Sequence, residues 1–153
     1  MIPEEWRPVV GYEGRYEVSS WGRVKSLPRA RTKGGLLTPF PRGENNYPSI
    51  TLRDGSEKRS HHVHTLVMVA FVGPRPDGME CRHMNGAPAD NCLDNLAWGT
   101  PVENGRDTVR HGHHAERNKT HCPSGHPYDE ANTYRTATGW RKCRECHRLY
   151  MIA

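Results

Sequence analysis

Cys81-Arg82-His83-Met84-Asn85-Gly86, Asp90-Asn91-Cys92-Leu93-Asp94-Asn95-Leu96-Ala97-Trp98 and Thr100-Pro101-Val102-Glu103-Asn104 follow one another in the middle of the chain and decide its fold. The first piece reads as a strand that ends in an Asn-Gly turn. The second runs through a polar loop into the short return strand around Leu96 to Trp98. The third is a helix start: Thr100 at the N-cap, Pro101 at the first helical position and Glu103 three residues on make a capping box, and Gly112 after His111 supplies the stop. The expected helix is therefore Pro101 to His111. Two short strands and a capped helix form a ββα unit over about residues 79–112, too small to be stable without neighbours.

Such a unit can bring His83, Asn95 and Asn104 together, and these types suit phosphodiester hydrolysis. A neutral imidazole takes a proton from water near neutral pH if an oxygen on its other nitrogen fixes the tautomer. Asn95 is the expected orienter. Asn104 can offer an amide oxygen to a hard cation, and it sits in the first turn of the helix, where the dipole favours an anionic phosphate.

Upstream, Tyr47 to Leu52 and Lys58 to His64 read as a hairpin turning at Asp54-Gly55. The apolar run Thr65 to Phe71 fits a short buried helix or a strand, because periodicity does not separate the two at this length. Tyr12 to Leu27 reads as short extended pieces broken at Gly14 and at Ser19-Ser20-Trp21-Gly22, with Tyr16 and Trp21 as core residues of a small module or as rings that stack on bases. A Pro- and Gly-rich stretch, Pro28 to Gly43, follows as a linker or ordered arm.

With 153 residues, 34% of them hydrophobic, 15 glycines and 12 prolines, two or three small modules are expected rather than one large core. The formal charge of +5 favours a polyanionic partner. Its distribution says more: from Val18 to Gly43 the chain carries Arg23, Lys25, Arg29, Arg31, Lys33 and Arg42 and no acidic residue, which suits a segment that tracks phosphates. The first ten residues hold charges and no apolar run, and no stretch approaches a membrane span, so a soluble cytoplasmic protein without a membrane partner is expected. In a reducing compartment the five cysteines point to metal ligands or small buried side chains.

Cys122-Pro-Ser-Gly-His126 and Cys143-Arg-Glu-Cys146 have the form C-x3-H and C-x2-C, and two close pairs of soft ligands suit a tetrahedral structural Zn2+. His121 and His147 adjoin these ligands and could replace His126. Cys81 and Cys92 have no partner at such spacing and read as small buried side chains. Arg135, Arg141, Lys142, Arg144 and Arg148, interleaved with Tyr134 and Trp140, suit a second DNA contact surface. His111, His113 and His114 read as a polar linker.

The stretch His64 to Phe71, Gly73-Pro74, Arg82-His83-Met-Asn-Gly86, Asp90-Asn91, Asp94-Asn-Leu-Ala-Trp98 and Glu103-Asn104 closely resembles the HNH homing endonucleases common in bacteriophages and their introns. Glu5-Trp6, Tyr12-Glu13-Gly14, Tyr16 to Ser19 and Gly22 to Leu27 resemble the short DNA-binding module that precedes the nuclease domain in many of them. The resemblance implies His83 as general base, Asn95 as the asparagine that positions it, and Asn104 with His83 at a divalent ion, Mg2+ or Mn2+. It departs at Arg82, where the family often has an acidic or amide ligand. Either Asp90, Asp94, a backbone carbonyl or water completes the metal shell, or Arg82 contacts DNA phosphate.

The expected architecture is α+β and modular: an N-terminal DNA-binding module and basic arm (1–43), an HNH ββα-metal nuclease domain (44–112) and a zinc knuckle or ribbon (113–153). The expected activity is metal-dependent cleavage of double-stranded DNA, as a nick or a double-strand cut, by a phage-encoded monomer or homodimer in a bacterial host. A DNA-binding protein without catalysis and a zinc-stabilised adaptor are the alternatives.

Overall fold

The computed structural model describes residues 3–112, 118–137 and 139–152; His113 and His114 of the expected polar linker lie outside them. The chain divides into two compact units, Met1–His111 and Gly112–Ala153.

The first unit opens with a four-stranded sheet in the order β1-β2-β3-β4: β1 Trp6–Pro8, β2 Tyr16–Ser19, β3 Val24–Ser26 and β4 Gly35–Leu36. β2 turns into β3 at Ser20 to Arg23, where Gly22 adopts a φ of 79° that side chains resist. The arm is ordered. Arg29 and Thr32 bridge to each other, and β5 (Phe40–Arg42) joins β6 (Tyr47–Asp54) and β7 (Glu57–His62) in a second antiparallel sheet. The β6-β7 turn falls at Gly55-Ser56, one residue later than expected, with Asp54 still paired to Glu57.

β7 runs directly into helix α1 (Val63–Phe71), so the ambiguous apolar run is helical and starts two residues before Thr65. Val63, Leu66 and Val67 share one helical face. They pack with Val9, Tyr16, Val18, Val24, Ile50, Leu52 and Leu96 in one core. The N-terminal sheet and the region after residue 44 therefore share their interior. Neither has to bury its apolar side chains alone.

The ββα unit follows: β8 (Glu80–His83) and β9 (Leu96–Gly99) pair antiparallel with His83 opposite Leu96, and α2 runs Pro101–Arg110. Both halves of the capping box are formed, Thr100 Oγ1 accepting from the Glu103 N–H and Glu103 Oε2 from the Thr100 N–H. His111 is the C-cap and no linker residue. Its ring lies so close to Gly86 that a β-carbon there would meet His111 Cγ at 2.7 Å.

The second unit holds the hairpin β10 (Thr133–Arg135) and β11 (Arg141–Cys143) and the helix α3 (Arg144–Ile152). No helix among the described residues is long and apolar enough to cross a membrane.

Candidate active site and metal centre

His83 ends β8 with 8% of its surface exposed. Its Nε2 lies 3.2 Å from Asn91 Oδ1. The Asn91 amide is turned that way because its Nδ2 donates to the Ala89 carbonyl at 3.3 Å, leaving the oxygen to face the ring. An oxygen only accepts, so Nε2 carries the proton and the Nδ1 lone pair is the basic position. The orienting oxygen thus belongs to Asn91 and not, as expected, to Asn95.

Asn95 works one step behind. Its Nδ2 donates to the Asp90 carbonyl at 2.8 Å, its Oδ1 accepts from the Asn85 N–H at 2.9 Å, and its own carbonyl accepts from the Met84 N–H at 2.8 Å. These bonds clamp the loop that presents Asn91 to His83. The turn of the N-terminal sheet backs the same loop, with the Leu93 N–H donating to the Ser20 carbonyl at 2.7 Å.

Around His83 stand three further rings. Tyr47 stacks on it at 5.9 Å between centroids, His64 meets it edge-on at 5.2 Å, and His62 stacks on His64 at 5.2 Å. Burial pushes the His83 pKa down, partly offset by the Asn91 bond and the Asp90 charge. Burial, with the nearby His83 and His62, pushes His64 further, to about 3. Both rings are therefore neutral at pH 7, the state a general base requires.

Asn104, in the first turn of α2, donates from Nδ2 to Glu80 Oε2 at 2.8 Å. Arg82 is not directed at a ligand or phosphate position. Its Nε and Nη2 donate to Asp107 Oδ2 at 2.8 and 2.6 Å, Nη1 is 3.5 Å from Glu103 Oε1, and the Arg82 and Asp107 side chains are only 12% and 11% exposed. The ion pair ties strand β8 to helix α2. Glu80 and Asn104 carry oxygens that would suit a hard divalent ion, which would supply charge neutralisation there, while arginine offers no lone pair.

The basic residues expected on DNA separate into two groups. Arg23 is bound by both oxygens of Glu4, and Lys25 lies 2.7 Å from Glu17 and 4.1 Å from the Trp6 ring centre. Arg29 donates to the Arg15 and Leu27 carbonyls, Ser26 Oγ and the Tyr16 hydroxyl, a structural task that corrects its expected place on the phosphates. Arg31, Lys33 and Arg42 are exposed, and Arg42 reaches the Ser60 carbonyl. The β6-β7 hairpin, expected from its turn, adds two cations not singled out from the sequence: Arg53 and Lys58 face each other across the strands, both exposed. Their signal was the alternation of outward Thr51 and Arg53 with buried Ile50 and Leu52.

In the second unit, the ligand atoms of Cys122, His126, Cys143 and Cys146 all lie within 4.8 Å of one another. His126 Nδ1 is 3.5 Å from Cys122 Sγ, 3.3 Å from Cys146 Sγ and 3.7 Å from Cys143 Sγ, and Cys122 and Cys146 Sγ are 3.6 Å apart. A tetrahedral zinc ion with ordinary bond lengths sets such edges at about 3.6 to 3.8 Å. Neighbouring N–H groups of His126 and Cys146 donate to Cys122 and Cys143 sulfurs at 3.3 and 3.4 Å. Asn132, not singled out from the sequence, donates to Cys143 Sγ at 3.3 Å and accepts from the Glu145 N–H at 2.9 Å. His121 instead bonds Thr120, and His147 packs edge-on against Tyr134. Of the remaining cysteines, Cys81 is a partly buried thiol whose pKa burial raises to about 12, an inert packing residue.

A histidine ending one strand of a hairpin closed by a capped helix is the arrangement of HNH endonucleases, and residues 61–106 match the HNH endonuclease family. Residues 4–53 match the NUMOD4 motif. The chain is 32% identical over 108 residues to the DNA endonuclease I-HmuI of Bacillus phage SP01, an alignment covering 71% of this chain and 59% of that protein. It is also 32% identical over 114 residues to an uncharacterized HNH endonuclease of Acanthamoeba polyphaga mimivirus, covering 69% of this chain and 26% of that protein. The solved structure of the HNH homing endonuclease I-HmuI superposes with a TM-score of 0.60 at 23% identity, covering 96% of this chain and 83% of that one. The chain thus carries a NUMOD4 motif followed by an HNH endonuclease domain, and it shares the fold of an HNH homing endonuclease. It spans little more than half the length of its phage relative.

Proposed function

We propose that this chain is a metal-dependent endonuclease that hydrolyses phosphodiester bonds of double-stranded DNA. The observation that carries the reading is the His83 ring, neutral, held through Nε2 by Asn91 and left with Nδ1 as its basic atom. Nδ1 takes a proton from water, the water oxygen attacks phosphorus, and the bond from phosphorus to the leaving sugar oxygen breaks. Solvent returns a proton to that oxygen. A divalent ion, Mg2+ or Mn2+, supplies charge neutralisation at the phosphate and leaving oxygen.

The exposed cations Arg31, Lys33, Arg42, Arg53 and Lys58 provide the phosphate contacts, with sequence-independent affinity. The ion in the second unit is a structural Zn2+ held by four protein ligands, with no position open for chemistry. One such centre per chain makes one incision per encounter, so a monomer nicks and a homodimer cuts both strands. Likeness to a phage protein supports a phage-encoded enzyme working in the cytoplasm of a bacterial host.

A second reading, DNA binding without cleavage, is favoured by one observation: the position before His83 holds an arginine engaged with Asp107. Incubation of supercoiled plasmid with Mg2+ or Mn2+ separates the two. The nuclease converts it to open-circular or linear DNA, whereas the binding protein retards it intact.

A further inference from the structure

Alternate residues of β8 face the same way, so Glu80 and Arg82 are directed alike. Arg82 reaches across Gly99, where a β-carbon would overlap Arg82 Cδ, to Asp107 and Glu103 on α2. Asp107 is thereby paired with the guanidinium, and Glu103, 3.5 Å from it, is occupied in the capping box of α2. Among the described residues, Glu80 forms no ion pair. Its Oε2 instead accepts from Asn104 Nδ2 at 2.8 Å.

Rotation of the Asn104 amide by half a turn exchanges Nδ2 for Oδ1, and the broad twofold torsion of an asparagine amide permits it. Two oxygens then stand at the spacing now held by oxygen and nitrogen. Adjacent oxygens around an octahedral ion bound at 2.0–2.1 Å are about 2.9 Å apart. Glu80 is exposed and Asn104 half-buried, which leaves room for the waters and phosphate oxygens that such ions retain. Asp90, an alternative ligand by sequence, is occupied within its loop, accepting from Asn85 Nδ2 and the Cys92 N–H.

We propose that the Glu80 carboxylate and the Asn104 amide oxygen together hold the divalent ion, Glu80 supplying the anionic ligand that Arg82 cannot. The ion pair of Arg82 with Asp107 keeps α2, and with it Asn104, against the strand before any metal arrives. The role given to this ion rests on the nuclease reading above; its site does not.

The test is Mn2+ binding to the full zinc-loaded chain, read from the paramagnetic resonance signal of the free ion. The wild type binds Mn2+ at one site, Glu80→Gln and Asn104→Ala each raise the Kd at least about tenfold, and Glu57→Gln on the distant hairpin leaves it unchanged. Unaltered zinc content and thermal melting of the variants show that they are folded. Wild-type affinity in folded Glu80→Gln, or no Mn2+ site in the wild type, overturns the proposal. Plasmid cleavage by the same preparations separates the two readings. Glu80-dependent binding without cleavage by the wild type upholds the ion site and rejects the nuclease; cleavage with Glu80-independent binding does the reverse.

Discussion

A β-carbon on Gly22 would lie 2.8 Å from Cβ of Asn91 and 2.9 Å from its carbonyl oxygen. The β2-β3 turn of the N-terminal sheet is therefore packed directly on the residue that orients His83. With φ at 79°, Gly22 also occupies a backbone region that other residues resist. Gly22→Ala should displace Asn91 and lower kcat at saturating DNA by about tenfold or more, with DNA affinity changed less than about threefold. Single-turnover cleavage beside a gel-shift titration checks this; unchanged kcat in a folded variant contradicts it.

Arg82 and Asp107 form a largely buried pair, so removing one partner leaves an uncompensated charge. Asp107→Ala should destabilise the first unit by about 3 kcal/mol. The double change Arg82→Met with Asp107→Leu should recover most of that loss. Urea unfolding followed by tryptophan fluorescence reads both, and an equal loss in single and double variants would show that the pair does not hold α2 in place.

The buried histidines set an acid limit on stability. His64 titrates near 3 in the folded chain and near 6.5 when unfolded, so the unfolded chain takes up the proton first as pH falls. Its contribution is complete above about pH 6.5 and declines toward pH 3, by at most about 1.4 kcal/mol per pH unit. His83, shifted the same way, adds to the slope. His64→Phe should flatten the decline between pH 6.5 and 4 relative to the wild type. Parallel curves for the two proteins would remove His64 from this account.

Zinc in the second unit should resist dialysis and remain at about one per chain, while cleavage still requires added Mg2+ or Mn2+. Cys143→Ser should lose the zinc and unfold that unit, because a module this small draws much of its folding free energy from the ion. Elemental analysis of both proteins checks it. A wild type without zinc, or a mutant that retains it in full, contradicts the four-ligand centre.

Much of the fold was legible because short-range chemistry dictates it. Thr100, Pro101 and Glu103 cap α2 through contacts within four residues, and the spacing of Cys122, His126, Cys143 and Cys146 is itself the pattern of a tetrahedral site. The Asp54-Gly55 turn signal likewise disclosed the β6-β7 hairpin. Less legible were assignments that depend on how a loop closes. Asn91 and Asn95 are four residues apart in one polar loop, and only its folded path turns the first toward His83 and the second into the loop's own backbone. Charge patterning could not tell Arg29, enclosed by carbonyls and a tyrosine, from the exposed Arg31 two residues on. Nor does linear spacing show that Arg82 finds Asp107 across 25 positions, which leaves Glu80 as the carboxylate beside Asn104.

In the proposed reaction His83 is the general base of a DNA-cleaving centre. The most direct test of this role compares wild type with His83→Ala on supercoiled plasmid in Mg2+ or Mn2+, both at saturating protein. The wild type should nick or linearise the DNA, and the variant should cleave about a hundredfold more slowly or worse while binding DNA with nearly unchanged affinity. Cleavage by His83→Ala at the wild-type rate, or no cleavage by the folded, metal-supplied wild type, would contradict the account.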